Sequence, residues 1–343
     1  MFGIARKFRR AGVLGLNQRN AELIMRHNPR RLYPRVDDKA MTKRLAVEAG
    51  MTVPELYGTV SNQAETSRLA EIIGDRRSFV IKPAHGSGGD GIIVVTGRSQ
   101  RKLDCFRLAD GLLISASELR HHVSNIVGGQ YSLSGNPDTA LFEYCVQFDP
   151  VFADVSYQGV PDIRVIVYRG YPTMAMVRLP TRSSGGKANL HQGAVGAGVD
   201  MRTGRTLDGV LHNDVVEDHP DTGALFAGLE IPGWDVILES AARGYEVTGL
   251  GYLGVDIVID RELGPLILEM NARPGLNIQI ANRSGIAHRI ARVDAIHDSA
   301  ADPAERARIA RREFPARLPG MEADASATAT TSGRHGLVAG GRL

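Results

Sequence analysis

The chain has 343 residues, 43% hydrophobic and 23% charged, with a net charge of +3, which is ordinary for a soluble globular protein of two or three modest domains. Its two cysteines, Cys105 and Cys145, cannot build a disulfide framework or a Cys-rich zinc site, and they read as small buried hydrophobes. No apolar run approaches the roughly 18 residues that cross a bilayer, and the N-terminus lacks the apolar core of a signal peptide, so a cytoplasmic protein is expected.

Residues 1–36 carry nine Lys or Arg, from Arg6 to Arg35, against one acid, Glu22, a local charge of about +8. The expectation is a solvated basic helical segment packed on the domain, with contact to a membrane surface or an acidic partner as the alternative. Residues 13–28 read as a helix stopped at Asn28-Pro29. Asp37 and Asp38 are candidate N-caps for a helix through Ala49, ended by Gly50. Residues 62–74 suggest another capped helix. FVIKP (79–83) reads as a strand, His85–Gly91 as a loop, and IIVV (92–95) as the returning strand. Residues 115–127 have a helical pattern, 128–139 a mobile-loop composition, and 140–146 a strand pattern. Strands follow at 160–168 and 172–180, then a Gly-rich polar loop at 185–196 and a helix at 234–248. Residues 286–317 look helical, and from Pro319 the Ala, Thr, Ser and Gly content predicts a disordered tail. Strands paired as hairpins argue for α+β rather than a wound parallel sheet.

The segment 254–275, GVDIVIDRELGPLILEMNARPG, predicts two apolar strands joined by a tight turn. A hairpin symmetric about Glu262 and Leu263 sets Asp256 opposite Glu269, with Asn271 on the same face. Carboxylates on greasy strands are costly unless paired or bound to a cation. Three oxygen donors suit a hard ion, Mg²⁺ or alternatively Mn²⁺, and Mg²⁺ usually arrives with phosphates. In the loop 85–91, four glycines within six positions (Gly86, Gly88, Gly89, Gly91, with Ser87 between) let N–H groups crowd around an anion. A strand follows these glycines, which excludes a dinucleotide fingerprint, and no Gly-Lys-Ser/Thr is present for a Walker A loop. Lys82, in an apolar strand three residues before that loop, must find an anion or snorkel out. Lys39 opens a helix, where the macrodipole disfavours a cation unless phosphate meets it.

Taken in order, these motifs carry a resemblance. Asp38-Lys39, Ile81-Lys82-Pro83 with its glycine loop, Phe142-Glu143-Tyr144, Asp162-Ile163-Arg164, Asn189-Leu190-His191, Val255-Asp256 and Glu269-Met270-Asn271-Ala272-Arg273-Pro274-Gly275 resemble the ATP-grasp superfamily. Within it, residues 37–285 are most similar to the α-L-glutamate ligase branch related to the ribosomal-protein glutamate ligase. The resemblance implies two α+β subdomains clasping ATP, at 37–141 and 142–290, with a helical extension at 291–318 and a tail at 319–343. It implies phosphate contacts from Lys39, Lys82 and the glycine loop, and a hinge at Glu143, Tyr144, Cys145 and Val146 for adenine and ribose. It also implies metal ligation by Asp256, Glu269 and Asn271. Arg164, Asn189 and Arg273 match positions near the transferred phosphate and the acceptor carboxylate, and Lys187 stands where relatives carry an arginine. The implied reaction is ATP-dependent ligation of a carboxylate to an amine, an amino acid or peptide, through an acyl phosphate. Two departures bear on the substrate. Relatives carry a further domain before the Asp-Lys motif, where 37 residues precede Asp38 here, a gap that a second subunit could complete. Arg273 replaces a small residue of the nearest glutamate ligases.

The alternatives are a small-molecule kinase on the same fold and a nucleotide-binding partner of a membrane complex. Nucleic acid is excluded as a partner, since no aromatic-plus-basic surface pattern is present. No Ser–His–Asp or Cys–His signature stands out, and the histidines are scattered, with His85 read as a loop or surface residue.

Overall fold

The computed structural model describes residues 2–316, except 87, 101, 103, 133, 134 and 299, and side chains from residue 6 onward. Ser87 and the tail 319–343 lie outside the described residues. The chain is α+β, with two sheets whose strands all pair antiparallel. The smaller holds β1 (Leu56–Val60), β2 (Phe79–Pro83), β3 (Ile93–Arg98), β4 (Cys105–Leu108), β5 (Leu113–Ser115) and β6 (Ala140–Glu143), in the order β1-β6-β2-β3-β4-β5. The larger holds β7 (Asp162–Tyr168), β8 (Tyr171–Leu179), β9 (Val195–Val199), β10 (Thr206–Leu211), β11 (Asp214–Val216), β12 (Tyr252–Asp260) and β13 (Gly264–Asn271), in the order β11-β10-β9-β8-β7-β12-β13.

The larger sheet carries the larger core. All nine residues of β12 are buried, and Ile237, Leu238 and Ala241 of the helix Trp234–Thr248 pack in the same cluster as Leu253, Val255 and Ile257. Burying each of the larger aliphatic side chains contributes about 1.5–3 kcal/mol. Gly244 lets this helix approach, because a Cβ there would lie 3.0 Å from Leu253 Cδ2. The second core joins Phe79, Ile81, Val95 and Phe142 of the smaller sheet to Leu119, Val123 and Ile126 of the helix Ala116–Val127. That helix begins with a capping box of Ser115 and Glu118.

The N-terminal region is built into the larger core. Leu14, Leu23, Ile24, Val36, Ala46 and Met51 all join that cluster. Asn28, 2% exposed, donates to the carbonyls of Tyr252 (2.6 Å) and Ala272 (2.8 Å) and accepts from Tyr252 N–H (2.8 Å). Its amide replaces a missing strand neighbour, which explains why the helical run Leu16–His27 stops there. Asp38 caps the helix Lys39–Glu48 by accepting from Ala40 N–H (2.9 Å) and Met41 N–H (3.2 Å). The strands of the smaller sheet lie between 56 and 143 and those of the larger between 162 and 271. The boundaries 37–141 and 142–290 are kept as a proposal for the two subdomains. Among the described residues no helix is long and apolar enough to cross a membrane.

Candidate active site

The hairpin β12–β13 pairs Asp256 with Glu269, by a route that symmetry about the turn does not describe. The turn is one residue tighter: Asp260 pairs with Gly264 and Ile257 with Ile267. A bulge at Leu268 restores the offset. Ile267, Leu268 and Glu269 line one small cavity with Lys39, Thr42 and Lys43 of the helix Lys39–Glu48. Asn271 Nδ2 lies 3.2 Å from Glu269 Oε1 and 3.4 Å from Asp256 Oδ2, so the three candidate metal ligands are together.

Two arginines cross this face. Arg164 on β7 sits opposite Asp256 and donates Nε to Oδ1 (2.7 Å) and Nη2 to Oδ2 (2.5 Å). Arg178 on β8 sits opposite Asp162 and donates Nε (2.5 Å) and Nη2 (2.6 Å) to its carboxylate, with Nη2 also 2.8 Å from Asp256 Oδ2. The Nη1 groups of both arginines have no partner among the described residues. Burial works to raise the Asp256 pKa, but Arg164 and Arg178 outweigh it and hold the carboxyl well below the carboxylate range. Asp162, facing one guanidinium, moves the other way: burial, aided by the charge on Asp256, outweighs Arg178 and pushes it up to about 6. One arginine does not offset full desolvation, and two do.

A divalent cation here would have to share Asp256, whose two oxygens are both engaged by Arg164 and Arg178. Asp162, Asp256 and Glu269 against Arg164 and Arg178 leave one negative charge over. Among the described residues no three His, Cys, Asp or Glu gather as a metal cluster. A cation would therefore take Asp256, Glu269 and the Asn271 oxygen, exposed by turning the amide over, with water or phosphate completing the shell.

The lysines stand across from the hairpin. Lys39 Nζ donates to the carbonyls of Gly86 (2.5 Å) and Ala84 (3.3 Å), at the root of the glycine loop. Its pKa is lowered, by burial first, while Glu269 works the other way and Lys82 adds to the lowering. Lys82 Nζ lies 2.6 Å from Glu143 Oε1, and Lys43 Nζ lies 2.8 Å from Glu143 Oε2 and 2.5 Å from Pro54 O. The Lys43–Oε2 contact has ion-pair distance but not hydrogen-bond alignment, so charge rather than directed bonding carries it. Burial brings Lys43 down to about 8 against the pull of Glu143. Burial works to raise Glu143, yet the two lysines keep it below its ordinary value. The Glu143 carboxylate is thus enclosed by lysines, and its residue is paired with Leu56 on one side and Val80 on the other. Next along, Tyr144 N–H bonds Glu55 O at 2.9 Å, and buried Cys145, its thiol pushed up to about 11 by burial, is inert. The N–H and C=O of Val146 have no partner among the described residues. Gln147 N–H bonds Asp260 Oδ2 at 2.8 Å, tying the segment after β6 to the acidic hairpin.

The glycine loop spans the two halves. Gly89 lies against Lys187, a Cβ built on Gly88 would come within 4.0 Å of Asn189 Nδ2, and Lys187 Nζ lies 3.4 Å from Asp90 Oδ1. A Cβ on Gly86 would meet Pro83 Cγ at 2.3 Å, so only glycine fits there. Gly91 has φ of +75°, and a Cβ would lie 2.6 Å from Tyr131. Asn189 caps the turn Leu190–Gln192 by accepting from His191 N–H at 3.0 Å. Arg273 is apart from these: it reaches Asp37 at 3.8 Å and lies over the Tyr33 ring, with no contact to Arg164 or Asn189 among the described residues. Sequence reasoning quoted Asp162 within a motif and His85 as a loop residue but gave neither a role, and it did not single out Arg178, Lys43 or Asp138. A lone arginine in the apolar run Met174–Leu179, and a lysine one helical turn after Lys39, were the available signals.

A family model described as sugar-transfer associated ATP-grasp matches residues 18–295. The cyanophycin synthetase of Geminocystis herdmanii (strain PCC 6308) is 28% identical over 273 residues, covering 74% of this chain and 29% of that protein. The chain therefore spans under a third of that relative's length. Among solved structures, the ATP-grasp ligase PsnB with precursor peptide PsnA2 and AMPPNP matches with TM-score 0.44 and 15% identity, over 78% of this chain and 61% of that one. The D-cycloserine synthetase DcsG matches with TM-score 0.43 and 17% identity, over 78% and 72%. A RimK domain ATP-grasp protein from Sphaerobacter thermophilus DSM 20745 gives TM-score 0.40 and 13% identity, over 78% and 69%.

Proposed function

Because this chain belongs to the sugar-transfer associated ATP-grasp family, we propose that it is an ATP-dependent carbon–nitrogen ligase joining a carboxylate to an amine through an acyl phosphate. The family model bears out the ATP-grasp superfamily, while the α-L-glutamate ligase branch and an amino-acid or peptide substrate are parts of the proposal. A relative named as a synthetase supports bond formation over simple phosphorylation. The observation that carries the reading is Lys39, whose ammonium bonds the root of the glycine loop and feels the charge of Glu269 on the hairpin.

Mg²⁺, or Mn²⁺, would lie against Asp256, Glu269 and Asn271 and supply charge neutralisation and phosphate orientation. Lys39 and Lys82 would neutralise the polyphosphate, and Lys43 would keep Glu143 paired when Lys82 turns to phosphate. The unengaged Nη1 groups of Arg164 and Arg178 would hold the acceptor carboxylate or the transferred phosphoryl group. A carboxylate oxygen attacks the γ-phosphorus and ADP leaves. The amine nitrogen then attacks the acyl carbon, and the C–O bond to phosphate breaks.

The test is incubation with MgATP and panels of amino acids and acidic peptides, following phosphate release and product mass. The expected products are ADP, free phosphate and an amide, with Lys82→Met and Glu269→Gln each lowering turnover by ~100-fold or more. Unchanged turnover in both variants would overturn the site. A phosphorylated product without free phosphate would make the protein a kinase.

A further inference from the structure

His85 begins the glycine loop, between the two carbonyls that hold Lys39, in an arrangement that the proposed reaction does not use. Its ring Nδ1 lies 2.7 Å from Asp138 Oδ1. Asp138 also accepts from the N–H groups of His85 (3.2 and 3.1 Å) and Thr139 (2.7 Å), and its side chain has no exposed surface. A carboxylate held this firmly fixes the imidazole and turns the opposite edge, with Nε2, outward. The His85 side chain is 49% exposed, so that edge is open. The flanking carbonyls, of Ala84 and Gly86, both accept from Lys39 Nζ. The ring is therefore rooted one residue from the phosphate lysine, at the start of the glycine loop.

We propose that His85, held by Asp138, is a proton-binding phosphate contact: when a nucleoside polyphosphate enters the cleft, the imidazole takes up a proton and donates Nε2–H to a phosphate oxygen. The proposal rests on the ATP-binding reading above. The charged groups around the ring come from several elements. Asp138 lies before β6, Lys39 opens its helix and Lys82 is on β2, with Glu143 behind it and Glu269 across on β13. The pair Asp90–Lys187 lies further along the loop. An anion brought beside an imidazole favours its protonated form. The proton comes from solvent, and no bond of the nucleotide is broken.

Isothermal titration of the full chain with the imido analogue of ATP plus Mg²⁺, in buffers of different ionisation enthalpy, tests this. Wild type should take up a measurable fraction of a proton per nucleotide, and its affinity should weaken as pH rises. His85→Gln should lose that uptake and bind about tenfold more weakly. His85→Arg, with a permanent charge, should recover affinity without uptake or pH dependence. Equal uptake in wild type and His85→Gln, or no rescue by arginine, would overturn the role of His85 and leave the ATP reading standing. No nucleotide binding by wild type would overturn both.

Discussion

Glu143 shows at residue scale what a pair of cations does to a buried carboxylate. Its folded pKa lies below the ordinary 4.5, so near that pH the unfolded chain holds more protons than the folded one. The resulting stability is fully present above about 4.5 and is lost as pH falls through the folded value. Glu143→Gln should cost about 3–5 kcal/mol at neutral pH, because two buried lysines lose their counter-ion. In urea melts the gap from wild type should narrow as pH drops below 4.5, whereas a gap independent of pH would contradict the pairing. Arg178 makes a second case. Arg178→Lys keeps the charge and loses the two-pronged grip on Asp162 and the bond to Asp256. Turnover is expected to fall about tenfold or more, with folded structure retained by circular dichroism. Lys39, Lys82, Asp256 and Glu269 were legible because each is a charge on an apolar strand or at a helix start. Arg178, in an apolar strand, sends the same kind of signal, but its role and that of Lys43 depend on which acid the sheet register and helix packing bring beside them.

At the scale of elements, the helix Trp234–Thr248 and strands β7, β8, β12 and β13 follow directly from apolar patterning. Strands β9 to β11 escaped it: the loop expected at 185–196 runs into β9, whose five residues Val195–Val199 are all buried against neighbouring strands. The segment 286–317, read as one helical stretch, is two helices, Ala287–Ile296 and Pro303–Glu313. Proline at the start of the second and its Asp302 cap mark the break. The region 62–74 is a 3₁₀ turn, Gln63–Arg68, leading into a short helix, Leu69–Ile73. The hairpin turn was misjudged by one residue because a bulge leaves no periodic signature, although the Asp256–Glu269 pair survived. The glycine loop offers the element-scale prediction. Gly91→Ala forces a positive φ on alanine and a Cβ into Tyr131, at a cost of at least about 1 kcal/mol. The Michaelis constant for ATP should rise severalfold while the cooperative unfolding transition is kept.

On the scale of the whole molecule, the basic N-terminal region has two sides. Leu14, Leu23, Ile24 and Asn28 face inward, and Arg6, Lys7, Arg9, Arg10, Arg26, Arg30 and Arg31 are exposed. Phe8, Leu16 and Met25 are exposed among them. The sequence predicts a solvated basic segment packed on the domain, and Leu14, Leu23, Ile24 and Val36 show which core it packs into. Vesicles containing phosphatidylserine should sediment the protein at low salt and release it as ionic strength rises, with neutral vesicles retaining little. Binding that ignores salt would count against an electrostatic surface.

The clasp between the glycine loop and the far half has a kinetic consequence. Its ion pair, Lys187–Asp90, is 3.4 Å long between side chains 42% and 71% exposed. Such a pair holds with about 0–1 kcal/mol and is screened by salt. On the proposed reading the glycine loop is thus a weakly latched gate, whereas Asp256 is held by two arginines. Raising ionic strength should speed nucleotide exchange by accelerating entry and escape together. Stopped-flow traces with a fluorescent ATP analogue would then show faster relaxation with a dissociation constant that moves much less, a signature of gating rather than of a weakened site.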